Sequence, residues 1–175
     1  MQTAIVLGTA RRQGNTAQLC RHVSRHLAGA TPSAQPVLFD LADYDIGGYD
    51  YTHNNRHDDF LPLIRRIMAC GRIVLATPMY WYAASGTMKT FLDRLSDLLT
   101  IEKDLGRQLR GKRAALLATG GDTSPPPCFE DVFRLTWQYL GVDYDGMLYC
   151  DCGDSLDANR HQHAIADFVG RLHAD

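Results

Sequence analysis

The chain has 175 residues, 45% of them hydrophobic and 22% charged, enough for one compact domain and unlike a disordered, collagen-like or low-complexity chain. Eighteen basic and twenty acidic side chains leave a formal charge of −2, too balanced for bulk electrostatics to hold a nucleic-acid backbone. The five cysteines, Cys20, Cys70, Cys128, Cys150 and Cys152, are odd in number and scattered, so a disulfide-stapled secreted domain is excluded and a reducing cytoplasm is expected.

In chain order, short apolar runs alternate with stretches of helical periodicity, the pattern of a parallel sheet covered on both faces. No basic leader precedes the first strand, 4–7, and Arg11 and Arg12 follow at once, so no signal peptide is expected. Further strands are expected at 37–41, 73–76, 114–118 and 147–149. Helical faces are marked by Leu19, Val23 and Leu27; by Leu61, Ile64 and Met68; and by Met88, Phe91, Leu92, Leu95 and Leu99. The clearest helix is 129–140, where Phe129, Val132, Phe133, Thr136, Trp137 and Leu140 keep three-and-four spacing, and packing is the simplest role for that stripe. A last helix uses Ile165, Phe168, Val169 and Leu172. The longest uncharged stretch, 73–88, is interrupted by Pro78 and Gly86 and is not a membrane span. The expectation is one α/β domain over 1–175, three layers with five parallel strands and five helices, its ligand crevice at the carboxyl ends of the strands.

Three loops should line that crevice. After strand one, Gly8-Thr9-Ala10-Arg11-Arg12-Gln13-Gly14-Asn15-Thr16 places hydroxyls, an amide and arginines at a helix N-terminus, where free N–H groups and the helix dipole favour an anion. It is neither a Walker loop, since Asn15 stands where a lysine would be needed, nor a Gly-x-Gly-x-x-Gly run; a single terminal phosphate fits better. A plain helix cap beside solvated arginines is the alternative for this loop alone. After strand three, Pro78-Met79-Tyr80-Trp81-Tyr82 offers an apolar wall for a planar heterocycle, or else packs a loop or a subunit contact.

These segments, with Ser85-Gly86-x-Met88-Lys89-x-Phe91-x-Asp93-Arg94, resemble the NADPH-dependent FMN reductase family of flavodoxin-like folds. The resemblance implies strand order 2-1-3-4-5. It implies that Thr9, Arg11, Asn15 and Thr16 hold the FMN phosphate, that Pro78, Met79, Tyr80 and Trp81 line the isoalloxazine ring, and that Thr119, Gly120 and Gly121 border it. It also implies NAD(P)H as electron donor, a quinone, flavin or azo compound as small acceptor, and a homodimer or homotetramer. Arg11, Arg12, Arg56 and His57 are left as cationic candidates for the donor's phosphates. A flavodoxin-type FMN electron carrier without NAD(P)H activity is the alternative function.

The segment 46–60 departs from iron-sulfur relatives, because no cysteine stands between Cys20 and Cys70 to ligate a cluster. It is expected to be a surface loop in which Asp58 or Asp59 caps the next helix. Cys150-x-Cys152 with His161-x-His163 has no recognised zinc spacing, and no metal is expected.

Overall fold

The structure is a computed structural model that describes residues 1–30 and 35–173; 31–34 and 174–175, within the expected single domain, lie outside the described residues. The strands are β1 (Thr3–Leu7), β2 (Val37–Asp40), β3 (Arg72–Tyr80), β4 (Ala83–Ala84), β5 (Arg113–Gly120) and β6 (Asp143–Asp151). The helices are α1 (Asn15–Ala30), α2 (Phe60–Met68), α3 (Gly86–Arg94), α4 (Asp97–Thr100), α5 (Lys103–Arg107), α6 (Pro127–Leu140) and α7 (Gln162–His173), with a 3-10 turn at Leu41–Asp43.

The main sheet is parallel in the order β2-β1-β3-β5-β6. That is the expected doubly wound order, with one addition. The expected five strands are joined by β4, which folds back antiparallel on the end of β3 through the pairs Met79↔Ala84 and Tyr80↔Ala83. A two-residue strand has no apolar run of its own, so sequence periodicity could not signal it.

Alternation along the central strands divides two cores. Val6, Ile73, Leu75 and Leu116 face α2, α3 and α6, where Phe60, Phe91, Phe129, Phe133 and Trp137 are buried. Ile5, Val74 and Leu117 face α1 and α7, packed by Leu19, Val23, Ile165 and Phe168. The apolar stripe of α6 is thus core through Phe129, Phe133, Trp137 and Leu140, while Val132 stays exposed.

Two expectations are corrected. The stripe from Met88 to Leu99 is not one helix: it breaks after Arg94, because Leu95, Ser96, Leu98 and Leu99 donate to carbonyls only three residues back. The chain between 95 and 110 therefore winds tightly into α4 and α5, and five helices become seven. The strands also run further than their apolar cores. β3 continues through Thr77, Pro78, Met79 and Tyr80, and β5 through Thr119 and Gly120, with Pro78 opposite Thr119. Polar and proline residues hid these extensions, which place the crevice residues on rigid strand ends rather than in loops.

Candidate active site

A cavity of about 330 Å³ opens at the carboxyl ends of β1, β3, β5 and β6, within the usual range for small-ligand sites. Thr9, Arg11, Asn15 and Thr16 line it from the β1–α1 segment, Pro78, Met79 and Tyr80 from β3, and Thr119, Gly120 and Gly121 from β5 and the turn after it. Gly14 of the same segment also lines it, as do Cys152 and Gly153, which were not anticipated. Cys152 and Gly153 follow the edge strand β6, whose half-buried polar residues gave too weak a pattern to mark where the strand ends.

The β1–α1 end is built for an anion. The first N–H groups of α1 have no carbonyl one turn back, and among the described residues those of Asn15, Thr16 and Ala17 have no backbone acceptor, so they can donate to a ligand. Gly14 N–H bonds Arg11 O at 2.9 Å, closing a turn so tight that a Cβ on Gly14 would sit 2.9 Å from Arg11 Cβ. Among the described residues the Arg11 side chain makes no ion pair or hydrogen bond, whereas Arg12 is bound to Asp43 at 2.5 Å and to Ala42 O at 2.8 Å. Thr16 and Thr119, both buried, share a hydrogen bond of 2.7 Å between their hydroxyls, so one donates and the other keeps a proton to offer the cavity. The side-chain oxygen of Asn15 accepts Leu156 N–H at 3.0 Å, which ties the β6–α7 loop to the start of α1 and leaves the amide nitrogen and backbone N–H of Asn15 for a ligand.

The wall formed by the strand ends is firmly held. Ser85 caps α3 by accepting Met88 N–H at 3.2 Å and donates to Gly8 O at 2.7 Å, so the β3 and β1 segments are bolted together. Thr77 Oγ1 accepts Ser85 N–H at 3.0 Å. On β6, Tyr149 Oη donates to Asp122 O at 2.9 Å and passes over Gly120, where a Cβ would lie 2.3 Å from that hydroxyl. Burial, with Asp122 and Asp151 nearby, pushes the Tyr149 phenol up to about 12, so it remains a donor at neutral pH. Burial likewise pushes the Cys152 thiol up, which keeps negative charge away from an anionic ligand.

Trp81 is not in the cavity. The family resemblance implies a place for it beside the ring; the structure sets it at the tip of the β3–β4 hairpin with 95% of its surface exposed. Trp81 and Tyr82 both have left-handed backbone, φ 50° and 61°, as the two central positions of a type I′ turn require. Asn and Gly satisfy that geometry readily, whereas bulky residues cost about 1–3 kcal/mol each.

The segment 44–59 is a knitted loop rather than a loose one. Arg94, 1% exposed, reaches Asp58 and Asp97, the latter at 2.8 Å, and also Gly47 O at 3.0 Å and Asn55 O at 3.1 Å, while stacking on Phe60 at 4.8 Å. Asp58, as expected of one of the two candidates, accepts the Phe60 N–H at 2.9 Å at the start of α2; Asp59 accepts Asp45 N–H instead. Arg56 and His57 bond each other at 3.1 Å beside a separate cleft with Leu61 and Arg65, and neither lines the main cavity.

The donor set fits FMN: free N–H groups, hydroxyls and a free guanidinium at one end suit a phosphate, and the strand-end wall suits a flat ring. At Gly121 a Cβ would meet nothing within 4 Å, so that edge is open space beside the wall.

Comparison with known proteins identifies the family and the fold. The family model described as NADPH-dependent FMN reductase matches residues 1–126. YwqN of Bacillus subtilis (strain 168), named as an NAD(P)H-dependent FMN-containing oxidoreductase, is 28% identical, the match covering 95% of this chain and 93% of that protein. An FMN-dependent NADPH-azoreductase of Staphylococcus aureus (strain USA300) is also 28% identical, but over 55% of this chain and 53% of its own length. The Trp repressor binding protein from Bacillus subtilis shares the fold at TM-score 0.74 and 24% identity, covering 99% of each chain. An FMN-dependent NADH-azoreductase from Bacillus anthracis str. Ames Ancestor, solved in complex with FMN, shares it at TM-score 0.69 and 12% identity, over 98% of this chain and 99% of that one. Among the described residues no helix is long and apolar enough to cross a membrane. With the family model matched over most of its length, the chain belongs to the NADPH-dependent FMN reductase family.

Proposed function

We propose that this cavity binds FMN with its phosphate at the start of α1 and its ring against the ends of β3 and β5, and that the protein passes electrons from NAD(P)H to a small acceptor such as a quinone, a flavin or an azo compound. The observation that carries the reading is that Arg11, which has no side-chain partner among the described residues, lines one cavity with the first turn of α1 and the ends of β3 and β5. The chemistry that FMN supplies when bound is acceptance of hydride from a nicotinamide and delivery of electrons to a second substrate.

The protein's own residues bind and orient. Arg11, the hydroxyls of Thr9 and Thr16 and the N–H groups of Asn15 and Thr16 take the phosphate. Pro78, Met79 and Tyr80, with Thr119, Gly120 and Gly121, would hold the ring. Tyr149 positions the turn at Asp122 by holding its carbonyl. Exposed Leu99, Leu135 and Tyr139 on α4 and α6 support assembly into at least a homodimer, and four buried free thiols support a cytoplasmic setting.

Anaerobic mixing of FMN-loaded protein with NADPH or NADH tests the reading. Rapid bleaching of the flavin is expected; FMN uptake without bleaching identifies an electron carrier, and failure to take up FMN defeats the site assignment.

A further inference from the structure

We propose that the cleft between α5 and the end of α6 is a binding site for a small phosphomonoester, with Lys103, Arg107 and Arg110 around its phosphate. The site does not depend on the flavin reading. It lies beside the chain that enters β5 at Arg113, whereas the main cavity lies at the other end of that strand, at Thr119 and Gly120.

Three observations carry it. The first is charge. Lys103, Arg107 and Arg110 follow one another at spacings of four and three, and all three line one cleft of about 180 Å³. The winding that begins with α5 continues through Leu109 N–H on Gly106 O and Arg110 N–H on Arg107 O, which keeps them on one face. Among the described residues no carboxylate lines the cleft. Arg107 is bound to Asp104, while the side chains of Lys103 and Arg110 make no ion pair or hydrogen bond among the described residues. Like charges at this spacing are destabilising, so such a group contributes through what it binds. Three cations less the Asp104 carboxylate leave a charge of two. That matches a phosphomonoester, which carries about −1.5 to −2 at neutral pH, better than a carboxylate or sulfonate monoanion.

The second observation is that backbone contacts build the cleft. Gly106 lies so close to α4 that a Cβ there would be 2.2 Å from Leu98 O. Gly111, at φ 75°, donates its N–H to Gly141 O at 2.9 Å and joins the end of the winding to the cap of α6. The Arg110 stem lies along Gly141, where a Cβ would be 3.2 Å from Arg110 Cγ, so this arginine is aimed before any ligand arrives. The third observation is the rest of the lining. Leu98 and Leu140 offer an organic group apolar surface beside the cations. The carbonyl end of α6, which would repel an anion, is met by N–H groups, Val142 on Trp137 O at 2.9 Å and Gly141 on Gln138 O at 3.2 Å.

Binding there involves no bond making or breaking. The two guanidiniums offer paired N–H groups to phosphate oxygens, the Lys103 ammonium meets the third side, and the ester is left intact.

The test is equilibrium dialysis of FMN-saturated protein against phenyl phosphate, benzenesulfonate or inorganic phosphate, in wild type, Lys103→Gln/Arg110→Gln and Arg11→Ala. Wild type is expected to bind phenyl phosphate at least about fivefold more tightly than either other anion. The double variant should lose about tenfold or more of that affinity, and Arg11→Ala none of it. The double variant should also take up FMN as wild type does and melt at or above the wild-type temperature, because like charges have been removed. Wild type that retains no phenyl phosphate at millimolar concentration overturns the proposal, as does equal affinity in wild type and the double variant. A loss in Arg11→Ala overturns it by placing the ligand in the main cavity. Benzenesulfonate bound as tightly as phenyl phosphate removes the selection for a dianion, and inorganic phosphate bound as tightly removes the ester; either result defeats the assignment. Protein that takes up no FMN defeats the flavin reading instead, and the same dialysis without FMN then still decides this one.

Discussion

Two adjacent arginines show how much one hydrogen bond decides. Arg11 and Arg12 are indistinguishable as neighbours in sequence, but Arg12 is held by Asp43 and the Ala42 carbonyl while Arg11 lines the cavity with no protein partner among the described residues. A guanidinium bonded to a phosphate contributes about 1.5–3 kcal/mol. Arg11→Ala is therefore expected to weaken FMN binding about tenfold or more, and Arg12→Ala to leave it nearly unchanged, as read by quenching of FMN fluorescence on titration. Equal losses in the two variants would argue against the phosphate placement. Arginines near a helix start were visible in the sequence. Which of them was free depended on Asp43, thirty-odd residues away across β2, and no local pattern carries that information.

At the scale of elements, the loop between β2 and α2 depends on α3 through Arg94. Burial opposes ionisation of Asp58, but the Arg94 guanidinium and the N–H groups of Phe60 and Gly47 outweigh it and hold the carboxyl below the ordinary carboxylate range. Ionised Asp58 thus stabilises the fold above about pH 4, the unfolded value, and that contribution disappears as pH falls through the lower folded value. Arg94→Ala leaves Asp58 and buried Asp97 without their shared partner, an expected loss of about 3–5 kcal/mol. Arg94→Lys should restore little, since one ammonium cannot span two carboxylates and two carbonyls. In Arg94→Ala only burial and the two N–H groups act strongly on Asp58, so its folded pKa rises and the variant's stability should fall less steeply than wild type on acidification. Urea unfolding at several acidic and neutral pH values measures both effects; parallel pH profiles would remove Asp58 from the account. The sequence showed Asp58 as a helix-capping candidate and Arg94 as part of a resemblance motif. Their meeting depends on α2 packing beside α3, where Phe60 and Phe91 lie 5.7 Å apart between ring centres, a contact that no local pattern signals.

For the whole molecule, the fold class was legible because buried parallel strands read as unbroken apolar runs, as in Ile73-Val74-Leu75-Ala76. The site was legible as three separate segments, because each carries its own chemical signature. What the sequence did not carry was the fourth segment, Cys152 and Gly153, set by the long-range pairing of β5 with β6, and the outward turn of Trp81, set by a two-residue hairpin too short to show a period. The strand order sets β1 between β2 and β3, with β5 and β6 beyond, so those four segments converge from opposite ends of the chain. They are already cross-linked by the Thr16–Thr119 hydroxyl pair, by Asn15 on Leu156 and by Cys152 N–H on Gly120 O at 2.7 Å. A ligand seated among them should therefore slow opening of all four together. On FMN loading, hydrogen exchange is expected to slow in concert at 8–16, 78–85, 119–126 and 152–156. The loop 44–59 should keep its rate, because Arg94 already holds it and it does not line the cavity. At a hundredfold excess of FMN over its dissociation constant, binding adds about 2.7 kcal/mol, which for a domain of this size raises the melting temperature by about 5–10 °C. Protection confined to 8–16 would mean that only the phosphate end is occupied, and protection at 44–59 would move the ring away from the strand-end wall.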